Sequence, residues 1–378
     1  MRNHATENDR QDRLTRPCRK LPARRPRRAG PALLALGLLA AAHAPAPGRA
    51  EAPPPPVVKE AFFTDDQARE NIDSPAAWRS PDGEDLLFAS SKEGHSVNVF
   101  DAANGAMIRR LGGLGAELGQ FNRPNGLWVV GDYLLVVERD NRRVQAIHLP
   151  DMTAVAAFGA GEQKRPYGIW ASPLSDGEAA VYVTDDYEVK GALTQAGEAL
   201  GKRVNRFAFE AVGRSAEGEW EAAFGAVSGP GRLFVVESIH GDLERGRLLV
   251  AEELEDDELG RSVKVYDFQG RFAGETMGKG VFANQVEGIA LYDKGQGQGY
   301  WFVADQGKQA NYFHVFDRAS LQHLGSFQGE RTLNTDGVWI HQQAMPRFPL
   351  GAFYACHDDR SIAAFDLESV LEALDLEP

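Results

Sequence analysis

Glu287 and Asp336 each stand directly before a glycine, in Asn284-Gln285-Val286-Glu287-Gly288-Ile289 and Asn334-Thr335-Asp336-Gly337-Val338-Trp339. Looser versions occur at Arg123-Pro124-Asn125-Gly126-Leu127-Trp128 and Arg165-Pro166-Tyr167-Gly168-Ile169-Trp170. Each phrase leads into an apolar run, and further on come runs that end in charge, such as Ala251-Glu252-Glu253 and Ala304-Asp305. Carboxylates brought together from distant parts of a chain repel one another unless a cation or a basic side chain lies between them. Hard oxygen donors of this kind suit Ca²⁺, which takes six to eight oxygens in flexible geometry. Soft metals have little to attract them, because His240, His314, His341 and His357 lack tight ligand spacing.

Such convergence needs a scaffold that returns the chain repeatedly to one place. Six apolar runs ending in polar residues occur at Leu86 to Ser90, Leu134 to Glu138, Val181 to Asp185, Leu248 to Glu252, Trp301 to Asp305 and Ala352 to Cys356. An alternating strand follows each, marked by Phe100, Ile147, Phe207, Tyr266, Phe316 and Phe365, at spacings of 47, 60, 59, 50 and 49 residues. Short strands and Gly-rich turns at this period predict an all-β fold, a six-bladed β-propeller over residues 60–373. Helix has room only near Leu367 to Leu376. The segment around Glu60 to Phe63 is available as an outer strand for the blade holding Ile362 to Phe365, which would fasten the two ends of the ring.

In such a ring the turns entering the inner strands and leaving the second strands open on one end of the channel. That rim gathers Asp73, Asn125, Tyr167, His240, Glu287 and Asp336 with Glu138, Asp185, Asp186, Glu252, Glu253, Asp305, Asp358 and Asp359. Its positive residues are Lys92, Arg123, Arg139 and Arg165, with Lys164 and Lys190 nearby. Beside bound cations these would make a local anion site, and phosphate best rewards guanidinium forks and ammonium points.

The first 50 residues differ from the rest. Arg24, Arg25, Arg27 and Arg28 precede an apolar run from Pro31 to Ala42, and Gly48-Arg49-Ala50 supplies small residues for cleavage. The run is too short to span a bilayer. A signal peptide over 1–50 and a Pro-rich spacer over 51–59 are therefore expected, with a periplasmic or secreted product. That leader holds 11 of the 41 basic and 3 of the 54 acidic residues, so the remaining chain has 30 basic and 51 acidic groups, a formal charge of −21. This field disfavours nucleic acid as a partner, since no basic stripe remains to offset it. Of the two cysteines, Cys18 leaves with the leader, so Cys356 has no internal disulfide partner.

Several of these phrases resemble those of the β-propeller phytases, a six-bladed family of calcium-dependent phosphohydrolases. The likeness is carried by Glu287 to Tyr292, Gly299 to Gly307, Tyr312 to Arg318, Thr335-Asp336-Gly337, Asp73 to Trp78 and Ala251-Glu252-Glu253, and spans about residues 60 to 370. It implies a phosphomonoesterase that releases phosphate from inositol hexakisphosphate by attack of a metal-activated water. Asp73, Glu252, Glu253, Glu287, Asp305 and Asp336 would hold several calcium ions. Lys92, Arg123, Glu252 and Glu287 would act in catalysis, and Arg139, Arg165 and Tyr167 would join Lys92 and Arg123 in binding substrate. The family's third glutamate-glycine phrase aligns with Ile239-His240-Gly241-Asp242, which puts His240 where a ligand is expected. The alternatives are a noncatalytic ligand- or protein-binding propeller, or a sugar-lactone hydrolase using one divalent metal.

Overall fold

The computed structural model describes residues 54–188 and 197–378. The expected leader, residues 51–53 of the spacer, and Lys190 lie outside them. No helix among the described residues is long and apolar enough to cross a membrane.

Six antiparallel sheets follow one another along the chain, each ordered from the innermost strand outward. Blade 1 is Ile72–Arg79, Asp85–Ser91, Ser96–Asp101 and Met107–Gly112; blade 2 is Pro124–Val130, Tyr133–Glu138, Arg143–His148 and Thr153–Phe158. Blade 3 is Pro166–Ala171, Glu178–Asp185, Val204–Val212 and Ser215–Phe224; blade 4 is Ile239–Asp242, Arg247–Glu252, Ser262–Tyr266 and Phe272–Met277. Blade 5 is Gln285–Gly295, Gln298–Gln306, Tyr312–Asp317 and His323–Gly329. Blade 6 takes Val338–His341, Ala352–His357 and Ser361–Asp366 from the end of the chain. The chain is a six-bladed β-propeller. The wide spacings on either side of Phe207 come from the long outer hairpin of blade 3 and the connections that flank it.

Why the second strands read as unbroken apolar runs follows from the stacking. Each is packed on both faces by neighbouring blades, so both of its side-chain rows are buried, as in Tyr133–Glu138. The core is accordingly divided among the gaps between blades: Leu135, Val137, Val181 and Phe207 fill one gap, and Phe302, Phe313, Phe353 and Phe365 another. Outer strands such as Met107–Gly112 are largely exposed.

The ends of the described chain close the ring. Phe62–Phe63 pairs antiparallel with Ala363 and Ala364 and supplies the fourth strand of blade 6, as the sequence predicts. Val57–Val58 adds a parallel fifth strand to blade 5, and the Pro56 carbonyl accepts from Gln328 N at 3.0 Å. The spacer thus ends at Pro56, and the propeller begins at residue 57. Between the two short strands, the buried Glu60 accepts hydrogen bonds from Arg331 N, Thr332 N and Thr332 Oγ1 at 2.9, 2.8 and 2.6 Å. The helix Leu367–Ala373, capped by Asp366, follows the last strand and buries Leu367, Val370 and Leu371.

Candidate functional site

Small residues hold the throat of the channel. Ser74, Gly126, Gly168, Ser238, Gly288 and Gly337, one from each blade, line a cavity of about 50 Å³. Backbone of one blade touches backbone of the next at this level: Gly288 N donates to Asp336 O at 2.8 Å, and Gly337 N to Asp73 O at 3.1 Å. A Cβ on Gly168 would sit 1.9 Å from the Glu237 carbonyl oxygen, which only glycine avoids.

The residues immediately before these six are Asp73, Asn125, Tyr167, Glu237, Glu287 and Asp336. They form a ring around the channel mouth. Glu237 is the member that sequence reasoning missed, and His240 does not take its place. Glu237-Ser238 is the fourth-blade phrase, with serine where other blades have glycine, the same substitution as in Asp73-Ser74. His240 lies three residues further along its strand, at the position of Trp128 and Trp339 in blades 2 and 6.

Those three rings meet on the axis. Trp128 lies 4.9 Å from Trp339 and 5.0 Å from His240 between ring centroids, both edge to face. Burial pushes the His240 imidazole down to about 4, so it is neutral and part of this aromatic plug. At about 3.3 Å of rise per residue, the plug sits about 10 Å below the acid ring and stops the bore there.

The strand-exit residues divide by the two-residue period of a strand. One set turns into the blade and holds the incoming loop by its backbone. Glu252 accepts from Phe234 N, Val235 N and Leu254 N at 2.6, 3.1 and 3.2 Å. Asp305 accepts from Ala283 N and Asn284 N at 2.8 and 2.7 Å and contacts His314 Nε2 at 3.1 Å. Asp185 does the same for Lys164 N and Arg165 N, Glu138 for Asn122 N, and His357 Nδ1 for Leu333 N. Glu252 and Asp305 thus hold the incoming loops, and neither belongs to the close carboxylate cluster described below. Both are fully buried, and their oxygens are taken up by backbone donors.

The next residue along belongs to the other row. Lys92, Asp186, Glu253 and Gln306 face the ring. Lys92 Nζ lies 2.5 Å from Asp73 Oδ1 and donates to the Tyr167 hydroxyl at 3.1 Å. Burial alone would lower the Lys92 pKa, but Asp73 and Asp336 raise it well above the ordinary value. Gln306 Nε2 donates to Asp336 Oδ1 at 2.7 Å.

Opposite Lys92, carboxylate oxygens of Glu237, Glu253 and Glu287 lie within 4.8 Å of one another. Burial, and then the neighbouring acids, push Glu253, Glu287 and Asp336 well above the usual carboxylate range. Burial and Asp73 carry Glu237 up to about 8. Glu253 Oε1 and Asp336 Oδ2 are buried with no hydrogen-bond donor. An unpartnered carboxylate oxygen among other carboxylates is costly, and a shared cation is the usual compensation. Oxygens this close together can all reach one ion at calcium's 2.3 to 2.6 Å, so the donor set fits a hard divalent cation.

Basic residues expected at the rim are present but already paired with acids. Arg123 pairs with Glu93, Arg139 with Asp140 at 2.7 Å, and Arg165 with Asp186 at 3.3 Å. Arg123 adopts the left-handed backbone region at φ 56°, and its N–H donates to His95 Nδ1 at 3.1 Å. Lys164 stacks its ammonium 4.2 Å from the Tyr187 ring centroid. Of the residues expected in substrate binding, the structure brings Lys92 and Tyr167 into the ring and leaves the three arginines around it.

No family model matches this chain, and no curated protein matches it. Among solved structures, the β-propeller domain of Cps50 (Swd1) from Myceliophteria thermophila is 13% identical, with a TM-score of 0.48 over 81% of this chain and 99% of that one. Hydrazine synthase from Kuenenia stuttgartiensis is 15% identical, with a TM-score of 0.47 over 84% of this chain and 82% of that one.

Proposed function

We propose that this protein is a calcium-dependent phosphomonoester hydrolase of the phytase type, acting at the acid-lined mouth of the propeller. The observation that carries the reading is Glu253 Oε1, buried without a donor beside the oxygens of Glu237 and Glu287. Glu237, Glu253 and Glu287 would hold the cation, with Asp73 and Asp336 beside them. Calcium bound there would offset the negative field and provide Lewis-acid and bound-water chemistry toward phosphorus. Lys92 supplies an ammonium next to that position, and Arg123, Arg139 and Arg165 stand within the same set of loops. Their present carboxylate partners are exchangeable for phosphate oxygens, which accept from guanidinium in the same forked geometry. The aromatic plug restricts approach to one mouth, which suits a substrate carrying several phosphates, such as inositol hexakisphosphate. Export to the periplasm or beyond is part of the same reading, on the sequence of residues 1–50.

The compactness of the glutamate cluster, with the fully buried Asn125 in the same ring, also suits a one-metal sugar-lactone hydrolase. The deciding experiment measures inorganic phosphate released from inositol hexakisphosphate by the metal-stripped protein, before and after calcium is added back. Calcium-dependent release that a chelator abolishes is expected. Turnover of a sugar lactone with no phosphate released would replace the phosphatase reading.

A further inference from the structure

The aromatic plug has a second side. The inner strands run on past it, and at the end of the channel away from the acid ring blades 2 to 5 enclose a cavity of about 450 Å³, a volume suited to a small molecule. Its lining combines the indoles of Trp128 and Trp170 and the His240 imidazole with three carboxylates, Asp242, Glu244 and Asp293, and one guanidinium, Arg318.

That guanidinium has little left to offer a ligand. Arg318 is 2% exposed, and its Nε and Nη2 donate to the two oxygens of Asp242 at 2.9 and 2.7 Å. Its Nη1 donates to Asp293 Oδ1 and the Gln298 carbonyl at 2.6 and 3.1 Å, with Glu244 Oε2 also 3.1 Å away. Arg245 is turned instead to the Gly297 carbonyl, at 2.9 and 2.7 Å. Three carboxylates therefore share one guanidinium, and Glu244 and Asp293 meet at the same nitrogen. What stays open is acceptor capacity. Glu244 Oε2 takes the Gly297 N–H at 2.6 Å and Asp293 Oδ1 the Gly295 N–H at 2.7 Å, while Glu244 Oε1 and Asp293 Oδ2 take no donor among the described residues. His240 is neutral, with Nδ1 2.9 Å from the Gly241 carbonyl, so Nδ1 carries the proton and Nε2 is left as an acceptor.

We propose that this cavity binds a small organic amine, its ammonium held by Glu244, Asp293 and His240 and its apolar body packed on Trp128 and Trp170. A lining with surplus negative charge and open acceptors rewards a ligand that brings both a positive charge and donors, and an ammonium carries three N–H groups. A phosphate or carboxylate would meet three acids and a base already committed to them. A neutral sugar would fill acceptors but leave the charge uncompensated. The proposal does not depend on the phosphatase reading, because the plug separates the two mouths.

Calorimetric titration of the full chain with 2-phenylethylamine at neutral pH tests it, with 2-phenylethanol as the same body without the charge. The amine should bind at one site at least tenfold more tightly than the alcohol. Glu244→Gln keeps an acceptor for Gly297 N and should fold, yet should weaken the amine roughly tenfold, the loss of one charge-assisted contact, and leave the alcohol unchanged. Glu253→Gln, at the other mouth, should leave amine binding as it is. Equal affinities for amine and alcohol in the wild-type protein, no binding of either, or amine binding lost in Glu253→Gln and retained in Glu244→Gln would overturn the proposal.

Discussion

Glu252 and Glu253 are adjacent in the chain and opposite in role. Glu252 turns into blade 4 and receives three backbone N–H groups, whereas Glu253 turns toward the axis with an oxygen that receives none. Glu252→Ala should therefore destabilise the protein by about 1–3 kcal/mol, the cost of leaving buried donors unsatisfied, while preserving calcium affinity. Glu253→Gln should do the reverse: it relieves repulsion in the metal-free protein, raising its stability by roughly 1 kcal/mol, and costs most of the calcium affinity. Urea melts with and without calcium separate the two; equal effects of both substitutions on calcium binding would show that the division by strand face is wrong. This pair also marks what the sequence could and could not reveal. Strand-end acids are visible as letters, so Asp73, Glu253, Glu287 and Asp336 were legible. Which face each one occupies depends on a one-residue register, and a shift of one exchanges clamp for ligand. Glu252 and Asp305 fall on the loop-holding face for that reason. Glu237 is hidden in the sequence because Gly241, four residues on, puts His240 in the glutamate-glycine register, although Asp73-Ser74 already has serine standing for glycine.

Strands, more than loops, decide where those side chains arrive. The six-blade pattern was readable because the second strand of each blade is packed on both faces, which forces a run of apolar residues that recurs with each blade. The closing strand at Phe62–Phe63 was readable from the availability of both ends, but the parallel pairing of Val57–Val58 with Gln328 and Gly329 was not. Two-residue strands carry too little pattern to be told from a loop. Both nevertheless tie the start of the propeller to blades 5 and 6, and Glu60 fixes the turn between them through three hydrogen bonds. Deleting residues 54–63 removes Val58, Phe62 and Phe63 from apolar contacts worth roughly 1.5–3 kcal/mol each. The expected result is a loss of about 5 kcal/mol in denaturant unfolding relative to the chain that retains them. An unchanged unfolding midpoint would mean that blade 6 is complete without its fourth strand.

At the scale of the whole molecule, six equivalent turns are brought to one mouth, and the channel below them is stopped by Trp128, His240 and Trp339. Acids from separate blades are thereby brought together at that mouth. We propose that a bound cation is what makes this arrangement favourable, and the negative charge of the chain as a whole would draw cations toward it. The most direct test of that claim is a high-resolution crystal structure of the calcium-loaded protein. An ion is expected among Glu237, Glu253 and Glu287, with carboxylate oxygens at about 2.3 to 2.6 Å. A loaded crystal in which those three side chains hold only water, or turn away from one another while calcium binds elsewhere, would contradict it.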